Sequence, residues 1–252
     1  MLNKNIAARF DMRMATNGST MSNEECIHAL DTLFHAGVRE IYFMLANPYD
    51  HSLLTEMAKF AFNLGMKVNL LAGDTAFDAK LSSISEYLNE LTIFTFLNKQ
   101  AASDEYSCSK LNMVADKLIS ENKAFSQKTT LLCFLGRSRL NDISGMNMWP
   151  DISTNMHGAL HAHNINIRFT TSPFAGDFDG DWHRFMVAYL RTETNDRTHR
   201  HLGQLNLAVD LSGCVYPLYM AESPKRRKVS IFDKNMYSKC LKKYNQKWRL
   251  FF

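Results

Sequence analysis

Residues 22–74 read SNEECIHALDTLFHAGVREIYFMLANPYDHSLLTEMAKFAFNLGMKVNLLAGD. The stretch parses as helix, strand, proline turn, helix, strand, and closes on small residues at Ala72-Gly73. Its first helix, Asn23 to Ala36, is announced by Ser22-Asn23-Glu24-Glu25, where a serine accepts from a first-turn amide and a glutamate reaches back to the cap. Gly37 ends that helix and Gly65 ends the next, Ser52 to Leu64, each where a left-handed residue is wanted. Strands follow both glycines, Val38 to Phe43 and Lys67 to Leu71.

The alternation extends outward on both sides. Ile6 to Asp11 reads as a strand ahead of the quoted segment. Beyond it come a helix at Lys80 to Leu88, a β-branched and aromatic strand at Leu91 to Phe96, and a helix around Lys110 to Asn122. A strand at Thr129 to Leu135 and a sixth at Asn164 to Thr171 complete the series. Six strands separated by helices predict a parallel sheet, either open and doubly wound or a partial barrel. Between Gly136 and Asp151 no strong period is visible, which predicts a long loop at the C-terminal mouth of the strands, where sites are built.

In order and spacing, this frame resembles the first part of the radical S-adenosylmethionine superfamily. Members carry C-x-x-x-C-x-x-C after the first strand, G-G-E-P after the second and T-N-G after the third. Here Met12 to Met21 holds no cysteine, Leu45-Ala46-Asn47-Pro48 keeps the proline alone, and Ala72-Gly73-Asp74 stands in the third place. Near the C-terminus, residues 203–218 read GQLNLAVDLSGCVYPL and are similar to the hairpin that opens a SPASM extension. The positions of that module's two cysteines hold Arg200 and Leu218, and Cys214 stands beside the turn. The resemblance implies an α/β fold: a partial (β/α)6 TIM-like barrel over residues 1–198, then a SPASM-like β-hairpin and basic tail over residues 199–252.

The chemistry that the resemblance would bring lacks its residues. An iron–sulfur cluster is held by thiolates, and Cys26, Cys108, Cys133, Cys214 and Cys240 form no C-x-x-C and no close pair. Leu45 places a side chain where the family's glycine lets backbone approach the cofactor, and Asn47 lacks the charge of the family's glutamate. No cofactor is therefore expected. Neither G-x-S-x-G, a Walker loop nor G-x-G-x-x-G is present, which disfavours hydrolase elbows, nucleotide hydrolysis and standard dinucleotide binding.

With 252 residues, 46% hydrophobic and 21% charged, the chain is long enough for a real core and ordinary for a globular protein. Its apolar runs are too short to cross a bilayer. No apolar signal segment is visible and the cysteines are sparse, so the cytoplasm is the expected compartment. The net charge of +4 hides an asymmetry: residues 225–252 hold ten Lys and Arg against Asp233, or +9, and the remainder carries −5. Those cations are interleaved with Phe232, Tyr237, Tyr244, Trp248, Phe251 and Phe252. Such a tail suits either an amphipathic helix packed on the barrel or a grip on an acidic peptide or nucleic acid.

Several constellations are candidates for a site. His157, His161 and His163, with Asp177 as a further ligand, have spacing compatible with a divalent metal, against a reading as helix-end histidines. Asp177, Asp179 and Asp181 imitate a calcium loop but with glycine misplaced, so a mouth loop with Asp181 as helix cap is preferred. Arg137, Arg139, Arg168 and Arg184, with Asn47, are the expected binding residues, able to clamp carboxylate or phosphate. Arg168 interrupts Ile165-Ile167-Phe169 and so faces the opposite side of its strand, a lumen if the apolar side meets the helices.

The function expected from this pattern is that of a non-catalytic relative of SPASM-type radical enzymes. It would act as a scaffold for a precursor peptide or an active partner enzyme in a peptide maturation pathway, with an exposed barrel edge near the N-terminus offering a strand for pairing. The alternatives are an enzyme that uses the mouth for non-radical, metal-assisted chemistry, and nucleic-acid binding through the tail. A homo-oligomer is compatible with each.

Overall fold

The structure is a computed structural model, and it describes residues 6–12, 20–45, 50–77, 79–97, 104–121, 128–135, 158, 160–171, 207–217, 229–236 and 239. Among the described residues nine strands form one sheet: β1 (Ile6–Asp11), β2 (Val38–Leu45), β3 (Lys67–Gly73), β4 (Glu90–Leu97), β5 (Lys128–Leu135), β6 (Ile165–Thr171), β7 (Leu207–Asp210), β8 (Cys214–Pro217) and β9 (Val229–Ser230). Their spatial order is β6-β5-β4-β3-β2-β1-β7-β8-β9. From β1 to β6 every neighbour is parallel and in chain order. A doubly wound sheet reverses its order at a switch point. Here the order runs unreversed from β1 to β6, whose right-handed crossovers put the connecting helices on one side, and it changes direction at β1, where β7 joins the other edge.

The helices are α1 (Asn23–His35), α2 (His51–Asn63) and α3 (Asp104–Glu121). The capping box at Ser22 forms as expected: the Ser22 hydroxyl accepts from the Glu25 amide at 3.2 Å, and the Glu25 carboxylate accepts from the Ser22 amide at 2.8 Å. Asp50 caps α2 by accepting from the amides of Ser52 and Leu53 at 2.9 and 3.1 Å. Gly37 and Gly65 have φ of 97° and 78°, the left-handed geometry that stops each helix and turns the chain into the next strand.

Two expectations are corrected. The segment expected as a helix over Lys80 to Leu88 is a 3-10 helix, Ala79–Tyr87, within which Ser83 bonds back to the Lys80 carbonyl. The barrel edge expected to lie open beside the first strand is occupied: β7 pairs in parallel with β1, Ala8 opposite Leu207 and Asp11 opposite Asp210. β7 carries Leu207 and Val209 into the core, and burying these two side chains is what draws the C-terminal hairpin onto β1.

Side chains alternate between two faces of each strand. Ala8 and Phe10, Ile41 and Phe43, Val68 and Leu70, Leu91 and Ile93, Leu131 and Cys133, and Ile165 share one core with Leu30 and Leu33 of α1, Leu54 and Met57 of α2, and Leu111 and Leu118 of α3. The intervening residues belong to the other face. Met44, Leu71, Phe94, Phe96, Leu132 and Phe134 are buried there too, apart from the helix-side core.

Candidate functional site

On the open face, the one the helices do not cover, strand register arranges the side chains in rows. One row runs Arg9, Tyr42, Asn69, Glu90. The next, nearer the C-terminal ends of the strands, runs Asp11, Met44, Leu71, Thr92, Thr130, Asn166, with Asp210 of β7 beside Asp11. A third runs Gly73, Phe94, Leu132, Arg168, and the Phe94 and Phe134 rings stack at 5.8 Å. The face is polar toward the strand N-termini and aromatic toward their C-termini.

Arg9 is the unusual member. It is 7% exposed, its guanidinium carbon lies 4.0 Å from the centre of the Tyr42 ring, and its Nε and Nη1 have no hydrogen-bond partner among the described residues. Ring stacking compensates one face of the cation. The donors in the guanidinium plane stay unmet, and a buried unsatisfied donor costs about 1–3 kcal/mol. Burial pushes the Arg9 pKa down, opposed by Tyr42 and the charge of Glu40.

Glu40 is spent elsewhere: its Oε1 accepts from the Tyr42 hydroxyl at 2.6 Å and from the Asn69 amide at 2.9 Å, and Asn89 donates in turn to Asn69 at 3.0 Å. Burial, reinforced by the bond to Glu40, pushes the Tyr42 hydroxyl pKa up, so it stays a neutral donor.

At the strand C-termini a second cluster ties α3 to the sheet. Asp74 follows β3 and accepts from the Thr95 hydroxyl at 2.8 Å, while Lys110 Nζ lies 3.2 Å from the same carboxylate and donates to the Phe96 carbonyl at 3.0 Å. The Asp74 side chain is 8% exposed. Asp210 ends β7 and accepts from the amides of Ser212 and Cys214 at 3.0 and 3.1 Å, which closes the turn into β8.

The residues present do not fit an iron–sulfur cluster. Cys26, Cys133 and Cys214 are free and buried on three different elements. Burial, with a smaller contribution from Glu25, pushes the Cys26 thiol up to about 11, and burial pushes Cys133 up as well. Thiols so shifted are protonated at neutral pH, whereas a cluster takes thiolates. The segment between β1 and α1, where the resemblance puts the ligands, has none in its sequence.

Of the residues singled out from sequence, Asn47, Arg137, Arg139, His157, Asp177 and Arg184 lie outside the described residues. His161 is exposed and His163 half-buried in the turn before β6, and no group of three metal-ligating side chains occurs among the described residues. Arg168 is exposed on the face opposite Ile165, and Ile165 is in the helix-side core, which settles its orientation toward the open face. Arg9, Tyr42, Glu40 and the Asp74–Lys110 pair were not singled out. Arg9 had the same signal as Arg168: a cation between two apolar neighbours, Ala8 and Phe10, of one strand.

No family model matches the chain, and no curated protein matches it by sequence. Solved structures do match. SuiB of Streptococcus suis bound to precursor peptide SuiA superposes with a TM-score of 0.52 at 10% identity, covering 94% of this chain and 64% of that one. SuiB bound to S-adenosylmethionine gives 0.52 at 11% identity, covering 94% and 65%. This chain thus spans a little under two thirds of the length of SuiB. The likeness is one of fold.

Proposed function

We propose that this chain is a binding scaffold built on a radical S-adenosylmethionine frame, with its strands curled as a partial (β/α)6 barrel and its β7–β8 hairpin corresponding to the start of a SPASM-like extension. Its role is recognition of a precursor peptide, or of an active partner enzyme, in a peptide maturation pathway, and it performs no radical chemistry. One observation carries the reading: a fold shared with a protein solved on its precursor peptide is kept over 94% of this chain, while the thiolate donors are missing from the loop after β1 and the Cys26 and Cys133 thiols are buried and protonated.

The observation on the open face that favours recognition is Arg168, an exposed cation on the edge strand β6, next to a side of the sheet where Phe94, Phe134, Leu132 and Met44 are buried. The same binding role is proposed, from sequence alone, for Arg137, Arg139, Arg184 and Asn47. Binding sites draw energy from apolar contact and orientation from a few polar groups.

The reading is tested in two steps. Protein purified anaerobically and reconstituted with iron and sulfide is assayed for both elements and for 5′-deoxyadenosine release. Stoichiometric cluster with deoxyadenosine formation defeats the proposal. Selection of random displayed peptides against the chain, with counter-selection against Arg168→Glu, is expected to enrich a consensus that the variant does not bind; a consensus indifferent to that change removes the open face from the reading.

A further inference from the structure

Buried cations in folded proteins are paired, because an uncompensated charge in a low-dielectric interior is costly and the penalty grows when its hydrogen bonds are unmet. Arg9 departs from that rule. It projects from β1, between β2 and β7, onto the open face of the sheet, with 7% of its surface exposed and with Nε and Nη1 lacking acceptors among the described residues. The carboxylate whose charge acts on it is Glu40, and that carboxylate is engaged by Tyr42 and Asn69. Ala208, opposite Arg9 on β7, supplies no side-chain acceptor. Tyr42 meanwhile holds the guanidinium in place by stacking on it, so its remaining donors are presented in a fixed orientation, the arrangement that favours binding by preorganisation.

We propose that Arg9 anchors a carboxylate-binding subsite on the open face, in which a ligand carboxylate provides the negative charge and the oxygen acceptors that the guanidinium lacks. Guanidinium is the side chain suited to this, since its planar donors match carboxylate geometry and its charge persists on burial. Tyr42 and Glu40 are positioning residues: the Glu40–Tyr42 bond keeps the ring under Arg9. A carboxylate at this position is separable from peptide recognition, because a small acid can occupy the subsite whether or not the rest of the face grips a chain.

The test uses the full chain labelled with 15N and titrated with sodium acetate, against sodium chloride at matched ionic strength. The Arg9 Nε–Hε resonance, identified by its absence in Arg9→Lys, and the backbone amides of Ala8, Phe10 and Tyr42 are expected to shift together and saturate with acetate but not with chloride. In Arg9→Gln the amide shifts are expected to vanish. Glu40→Gln keeps an oxygen acceptor for the Tyr42 hydroxyl while removing a competing charge nearby, and is expected to tighten acetate by roughly tenfold; it also serves as the informative variant if Arg9→Gln fails to fold. N-acetylglutamic acid amide and free methionine then distinguish a side-chain carboxylate from an amino-acid carboxylate by which saturates at lower concentration. Shifts that rise linearly in both salts, saturating shifts that survive in Arg9→Gln, or acetate affinity unchanged in Glu40→Gln overturn the proposal.

Discussion

Replacing Lys110 by methionine isolates the polar clasp between α3 and the C-terminal ends of β3 and β4. Lys110 Nζ sits 3.2 Å from the Asp74 carboxylate and 3.0 Å from the Phe96 carbonyl. At that separation and an effective dielectric of about 20, the gross attraction is roughly 5 kcal/mol. Breaking a fully buried pair costs about 3–5 kcal/mol, but the Lys110 side chain is 26% exposed and Asp74 keeps the Thr95 hydroxyl at 2.8 Å. A net loss of about 2 kcal/mol is therefore expected, equivalent to a fall in Tm of roughly 4–8 °C for a domain of this size.

Urea unfolding followed by circular dichroism gives the measurement, with Asp74→Asn and the double variant completing a cycle. The double variant is expected to be less destabilised than the two single losses added together, since methionine no longer strands a buried charge. A Lys110→Met variant indistinguishable from the parent, or losses that simply add, would refute the assignment of a coupled pair.

Three further outcomes are expected. Ser22→Ala removes the hydroxyl that accepts from Glu25 in the capping box and should cost about 1 kcal/mol in urea unfolding, while Ser22→Asp should cost far less. Asp50, held below its usual carboxylate pKa chiefly by hydrogen bonds from Ser52 and Leu53, contributes stability that is present above its unfolded pKa and lost as pH falls through its lowered folded value; Asp50→Asn should flatten that acid limb, and an unchanged acid limb would count against the cap. Cys26 and Cys133, buried and with thiol pKa raised, should resist iodoacetamide at neutral pH and react on unfolding. Because the folded Cys26 pKa is the higher one, its contribution is complete below the unfolded thiol value and lost as pH rises through about 11; rapid labelling of either thiol in native protein, read by mass spectrometry, would contradict their burial.

Local signals made the strand and helix series legible. Ser22 and Glu25 start α1, Gly37 and Gly65 end helices with positive φ, and β-branched and aromatic runs mark β4 and β5. The face of Arg168 was legible as a pair of alternatives, because alternation tells which residues share a side but not which side meets the helices. Packing of Ile165 with the helix-side core resolved it. The 3-10 helix at Ala79–Tyr87 was read as an ordinary helix because its apolar residues alone do not distinguish the two at this length.

What the chain alone determined is therefore its element order, its parallel α/β character and the absence of cysteine between β1 and α1, all properties of neighbours in sequence. Which strand lies beside β1, where Arg9 ends up without an acceptor among the described residues, and how Asp74 meets a lysine 36 positions further along are properties of neighbours in space. They arise when Leu207 and Val209 leave water against the same core as Ala8 and Phe10, a burial that no local pattern encodes because its two halves are separated by nearly the whole sequence.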